Sequence, residues 1–304
     1  MGGHHHNHHT QIEGDRRVAW AVAANLLLTL VQIVAGVLSG SLALIADAIH
    51  NLSDALSLVI AFFARRIGRR PADANMTFGY GRAEVVAALI NYTTLIVIAF
   101  YLLAEGVGRL LNPVEVAGWP VVIVATAALV VDVATALLIH SMSRDSMNIR
   151  AAFLHNLADA MGSVAVIVTG ILILLYDWRL ADPIATFLIA GYILWHAGQG
   201  IRPVLQVLML GSPDRPPLED VIGALRGLPG VSDVHAVHLW RMQEHETAFQ
   251  AHVVMEPGSD ALSLRAAIKA LLADRFNIHH TTVEMEPLAE TCPTPNLIGV
   301  SQGE

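Results

Sequence analysis

Two histidine–aspartate pairs set the chemistry of this chain. His50 and Asp54 stand four residues apart in the phrase HNLSDA, and His155 and Asp159 repeat the spacing in HNLADA. On a helix, residues four apart share one face, one turn from each other. Each pair sits inside a long apolar segment, where an ionisable side chain is expensive and by default marks a site or a pathway. Two imidazoles and two carboxylates form a tetrahedral donor set for a borderline divalent metal. Neutral imidazole nitrogen suits zinc, cobalt or nickel better than calcium or magnesium, and the carboxylates offset the ion's charge. The competing reading is a polar cluster that only ties helices together, each bond contributing about 1 kcal/mol in a membrane. A duplicated phrase at matched depth argues against it.

The same ligands can carry protons. Metal binding needs neutral imidazole and ionised carboxylate, so loading the ion releases protons, and histidine exchanges one near neutral pH. Such a site with two access states is a metal–proton exchanger. Asp47, one turn before His50, is expected to orient the ligands from behind. Asp132, alone in another apolar run, is expected to line a path. His140 and His196, near helix ends, read as interfacial.

The elements that must position these groups are spanning helices. Apolar runs at Val18–Val37, Ser41–Ala64, Val85–Leu103, Val116–Ile139, Ala151–Leu175 and Pro183–Gln199 predict six of them. No cleavable signal peptide is expected, because the first run is too long and polar residues precede it. With an internal N-terminus, ten arginines fall inside and only Arg109 and Arg179 outside, which predicts cytoplasmic termini. His50 lies nine residues past Ser41 and Asp159 nine past Arg150, so both reach roughly 14 Å in from opposite faces. A core about 30 Å thick puts both near its midplane, where secondary transporters bind substrate.

Composition agrees. The chain is 54% hydrophobic and 14% charged, against about 25% charged in a soluble domain. The single cysteine, Cys292, leaves no intramolecular disulfide framework. The net charge of -8 is carried almost wholly after Gly211, by 13 acidic against 6 basic residues. That gives no basic footprint for nucleic acid. No GxxxxGK[ST] run serves a nucleotide, and no HExxH serves a zinc protease.

The expected fold is therefore an α-helical polytopic membrane protein with six transmembrane helices, followed by a small α+β ferredoxin-like domain. Residues 1–17 form a His-rich cytoplasmic tail, either an expression tag or a metal-gathering segment, expected to lack order in both cases. Residues 18–210 form the membrane domain, 211–290 a soluble domain and 291–304 a C-terminal tail. In the soluble part, helices at Pro217–Gly227 and Ala261–Phe276 alternate with strands at Val231–Met242, Thr247–Glu256 and Thr281–Met285, an α-β-β-α-β order. Six histidines crowd this stretch, and with Glu244, Glu246, Glu284 and Glu286 they offer a regulatory zinc site. His235 and His252 could face one another across strands.

The paired HNLxDA phrases, PADANMTFGYGRAE from Pro71 to Glu84, and VHAVHLW from Val234 to Trp240 together resemble the cation diffusion facilitator family. The resemblance covers nearly the whole chain after the tail. It implies a homodimeric six-helix metal exporter of the bacterial inner membrane with a cytoplasmic metallochaperone-like domain, exchanging metal for protons. The His-Asp, His-Asp set resembles the zinc-preferring branch, which implies His50, Asp54, His155 and Asp159 as transport ligands. His235 and His252 match ligand positions in the soluble domain, with Glu284 where some relatives carry histidine. Met76 and Tyr80 replace the histidines of an extra site some relatives hold between the second and third helices, leaving Asp73 alone there. Rival expectations are the same transporter moving cobalt, nickel, cadmium or iron(II), and a membrane receptor that binds metal without moving it.

Overall fold

The computed structural model describes residues 26–140, 147–243, 246–290 and 296–298; the side chains of 58, 138–140, 147–156 and 290 lie outside that description. The expected N-terminal tail, the start of the first span, and Glu244, His245 and Cys292 also fall outside it. Six apolar helices come first: α1 (Leu26–Ser39), α2 (Leu42–Gly68), α3 (Ala83–Leu111), α4 (Gly118–His140), α5 (Met147–Tyr176) and α6 (Ala181–Leu208). Five of them are long and apolar enough to cross a membrane by what is described. A smaller α+β part follows, with α7 (Leu218–Arg226), β1 (Val231–Arg241), β2 (Thr247–Met255), α8 (Ala261–Phe276) and β3 (His280–Pro287). This is the expected fold class.

The helices outrun their apolar stretches. α2 continues through Arg65 and Arg66, α3 through Glu105 and Arg109, and α6 through Pro203. A charge marks where lipid ends, whereas a helix needs a backbone reason to stop. Such a reason exists between α1 and α2. Gly40 takes φ 73°, and the Ser41 amide reaches back to the Gly36 carbonyl at 3.0 Å, a left-handed glycine cap.

The chain divides into two compact units. One takes the chain up to Phe63 with Ile90–Gly200, and the other takes Ala64–Leu89 with the chain from Ile201. In the first, Leu44, Leu102, Val121, Val166 and Ile193 are buried among small residues such as Ala43, Ala99, Ala125 and Ala190. Small residues let helices approach where lipid offers no hydrophobic drive to associate. Phe62, Phe100, Trp119, Ile123, Leu188 and Trp195 are exposed, as lipid-facing side chains are.

In the second unit the sheet order is β1-β2-β3. β1 runs antiparallel to β2, and β3 runs parallel to β2 through the α8 crossover. Phe249, Leu225, Ile268, Leu272 and Ile278 are fully buried between helices and sheet. Asp260 caps α8 by accepting from the Ser263 amide at 2.9 Å, and Asn277 closes it in the left-handed conformation, as cap chemistry requires. Asn296 and Leu297 carbonyls accept from the Ala236 and Val237 amides at 2.9 and 3.0 Å, so this segment pairs with the outer edge of β1.

Candidate metal centres

In the first unit, α2 and α5 bring together the residues singled out by spacing. His50 Nε2 lies 3.7 Å from Asp54 Oδ2 and 3.4 Å from Asp159 Oδ1. One donor atom from each of the three falls within 4.8 Å of the others. His50 and Asp159 are buried and Asp54 is half-buried. A histidine and two carboxylates this close, within apolar helices, offer nitrogen and oxygen donors to one divalent ion. His155 lies on α5, four residues before Asp159, and its side chain is outside the described residues.

The neighbourhood is more polar than sequence reasoning found. Asp47 Oδ2 accepts from Gln32 Nε2 of α1 at 2.8 Å, and Gln32 Oε1 accepts from Asn51 Nδ2 at 3.5 Å. Asp132 is buried on α4 and accepts from Ser163 Oγ of α5 at 3.2 Å. Tyr192 of α6 lies edge-on to His50, ring centroids 5.7 Å apart, and stacks on His196 at 6.2 Å. His196, read as interfacial, is thus one ring removed from the centre. Gln32, Ser163 and Tyr192 were not foreseen. The signal was present: each is a polar atom in an apolar run, and such groups find partners at membrane depth.

A second group lies in the sheet. β1 and β2 pair His235 with His252, their ring centroids 5.3 Å apart. Glu286 reaches both: Oε1 to His252 Nδ1 at 2.6 Å and Oε2 to His235 Nε2 at 3.4 Å. Glu284, expected as the third ligand, pairs in register with His252 but reaches only that ring, at 3.4 Å. Its side chain is 67% exposed, against 12% for Glu286. The two glutamates share a face of β3, two residues apart, and the inner one lies over both rings. Among the described residues, neither ring nitrogen of the buried His235 has a hydrogen bond. A buried ring nitrogen without a hydrogen bond is costly, and a metal would satisfy it. Glu286→Gln is expected to weaken zinc binding to this domain by at least about 10-fold, and Glu284→Gln by under about threefold, as titration calorimetry on the full chain would measure.

Among the described residues, Asp73 joins no group of metal donors. Its Oδ1 accepts from the Asn75 and Met76 amides at 2.8 and 2.9 Å, and its Oδ2 from the Tyr80 hydroxyl at 2.7 Å. Both oxygens are spent on the loop's own turn. The Tyr80 hydroxyl first, then the Met76 and Asn75 amides, hold this carboxyl below its ordinary value. A depressed carboxylate favours the folded turn above its unfolded value of about 3.9 and loses that contribution as pH falls through the folded one. Hydrogen exchange of the Asn75 and Met76 amides is therefore expected to keep its protection from pH 7 to 5. Asp73→Ala is expected to remove that protection at pH 7.

Comparison with known proteins extends these observations. Residues 18–209 match the family model of the cation efflux transmembrane domain, and residues 213–288 that of the cation efflux protein cytoplasmic domain. The chain is 35% identical to the zinc transporter ZitB of Pectobacterium atrosepticum, over 92% of this chain and 88% of that protein. It is 33% identical to the metal cation efflux system protein CzcD of Cupriavidus metallidurans, over 93% and 90%. A cadmium, cobalt and zinc/H(+)-K(+) antiporter of Bacillus subtilis is 32% identical over 93% and 92%. Two family regions that together span nearly the whole chain, and relatives aligned along it, make this protein a member of the cation diffusion facilitators, membrane transporters that export metal cations.

Proposed function

We propose that this chain exports zinc in exchange for protons, with His50, Asp54 and Asp159 holding the ion at mid-membrane. The observation that carries the reading is the convergence of an imidazole and two carboxylates within 4.8 Å on helices of membrane length. His155 is assigned as the fourth ligand, because its spacing to Asp159 repeats that of His50 to Asp54. Two carboxylates neutralise a dication, and two imidazoles favour zinc among divalent ions. When the ion leaves, the same groups take protons, since only their deprotonated forms bind metal. Asp47 orients the ligands from behind, and Asp132 with Ser163 lines the polar interior.

The arginine bias supports cytoplasmic termini, in a bacterial inner membrane. His235, His252 and Glu286, with Glu284 at the rim, form a regulatory zinc site in the cytoplasmic domain. That domain pairs two protomers, and bound cations relieve repulsion between its acidic surfaces. A broader substrate range is the second reading, favoured by the Bacillus subtilis relative, which is named for cadmium and cobalt beside zinc.

Purified protein in liposomes, with a zinc-sensitive dye and an imposed pH gradient, tests the reading. Zinc entry should accelerate when the lumen is acidic. Flux that ignores the gradient defeats proton exchange. Zinc binding without flux would make the protein a receptor.

A further inference from the structure

Asp47 is buried against the neighbouring helix. It is 3% exposed and one turn before His50 on α2. Gly162 is one turn after Asp159 on α5. His50 and Asp159 meet across the two helices, and so do Asp47 and Gly162, three residues back on one helix and three forward on the other. The second meeting is tight. A Cβ at position 162 would stand 2.9 Å from Asp47 Oδ1, inside normal contact, so the carboxylate touches bare backbone there.

The carboxylate is not free to turn aside. Its other oxygen accepts from Gln32 Nε2 at 2.8 Å, and Gln32, 0% exposed, also accepts from Asn51 through Oε1. Rotating Asp47 away would strand an amide donor in an apolar interior, where no water replaces the lost bond. The contact therefore behaves as a rigid spacer: an amide on α1, a carboxylate on α2, and a missing side chain on α5.

We infer that Gln32, Asp47 and Gly162 set the separation of the two ligand helices, and through it the size of ion the transport site accepts. This rests on the reading that His50, Asp54 and Asp159 hold the transported ion. Zinc bonds to nitrogen and oxygen run about 2.0–2.2 Å, and cadmium, the larger ion of the same charge and a related ligand preference, needs longer ones. Where ligand chemistry is shared, geometry decides which ion is kept. A helix one turn from the cage carries a shift of a few tenths of an ångström to it almost undiminished.

Flux of zinc and cadmium in competition, through full-length protein in liposomes, tests the spacer. Gly162→Ala is expected to raise the cadmium-to-zinc ratio of kcat/KM about 10-fold, the scale that one methylene commands in a fitted site. Adding Asp47→Ser, which shortens the opposing side chain, is expected to return the ratio to within about threefold of the parent, as coupled neighbours in a double-mutant cycle do. A Gly162→Ala ratio within about twofold of the parent overturns the inference, as does a double variant that keeps the raised ratio. If Gly162→Ala does not reach the membrane, Gln32→Leu unpins Asp47 without added bulk. A ratio shifted by at least about threefold then supports the spacer, and an unchanged one overturns it. A parent protein that moves neither metal defeats the transport reading instead.

Discussion

His50→Ala is expected to abolish zinc flux in liposomes and to lower zinc affinity at the proposed membrane site by at least about 100-fold, more than the loss of an outer partner costs. The imidazole is the group that faces both carboxylates, at 3.7 Å from Asp54 and 3.4 Å from Asp159. Without it, two carboxylates face one another with one nitrogen fewer to share an ion, and preference for a borderline metal falls with the loss of nitrogen. The helices themselves should persist, because a single polar contact in a membrane contributes only about 1 kcal/mol. Asp132→Asn is the comparison. Asp132 bonds Ser163 rather than joining the ligand group, so zinc binding is expected to stay within about threefold of the parent while flux slows. Calorimetry and flux on the two variants check this. A His50→Ala protein that moves zinc normally removes the imidazole from the site.

The residues that meet between α2 and α5 were legible in sequence because of where they stand. A histidine and two aspartates inside spanning runs are too costly to be incidental, and period 3.6 placed each His-Asp pair on one face. The soluble domain was legible for a different reason. Strand alternation and cap residues such as Asp260 are local signals, and α8 was expected at Ala261–Phe276, where it is found. What stayed hidden depends on contacts between segments. Gln32 carries no charge, so it passes in a hydropathy reading, yet it holds Asp47 and Asn51 together. Tyr192 reads as one more aromatic on α6 until its ring is seen against His50. Glu284 and Glu286 lie on the same face of one strand, and alternation alone cannot say which of them spans His235 and His252. Asp182 stands just before the apolar run that begins at Pro183, and no spacing in the sequence tells that it is 1% exposed.

Asp182→Ala is expected to destabilise the membrane unit by about 3–5 kcal/mol, the cost of breaking a buried charge network from one side. Asp182 of α6 caps a helix it does not belong to. It accepts from Ser41 Oγ at 2.6 Å, from the Leu42 amide at 2.8 Å and from the Ala43 amide at 3.2 Å. The first amides of α2 have no partners within the helix, and Leu42 and Ala43 are buried. Arg109 of α3 approaches the same carboxylate at 3.6 Å and donates to the Gly40 carbonyl. Removing Asp182 leaves that guanidinium with Glu105 and a carbonyl, and leaves the positive end of α2 unopposed. Asp182→Asn keeps one acceptor oxygen and loses the charge, so about 1–2 kcal/mol is expected. Thermal unfolding in detergent should therefore rank parent, Asn and Ala in that order. The loss should also reach the transport site. α2 carries Asp47, His50 and Asp54 within its first half, and a frayed start would let the ligands drift along the helix axis. Equal melting of all three proteins would mean that the turn at Gly40 alone fixes where α2 begins.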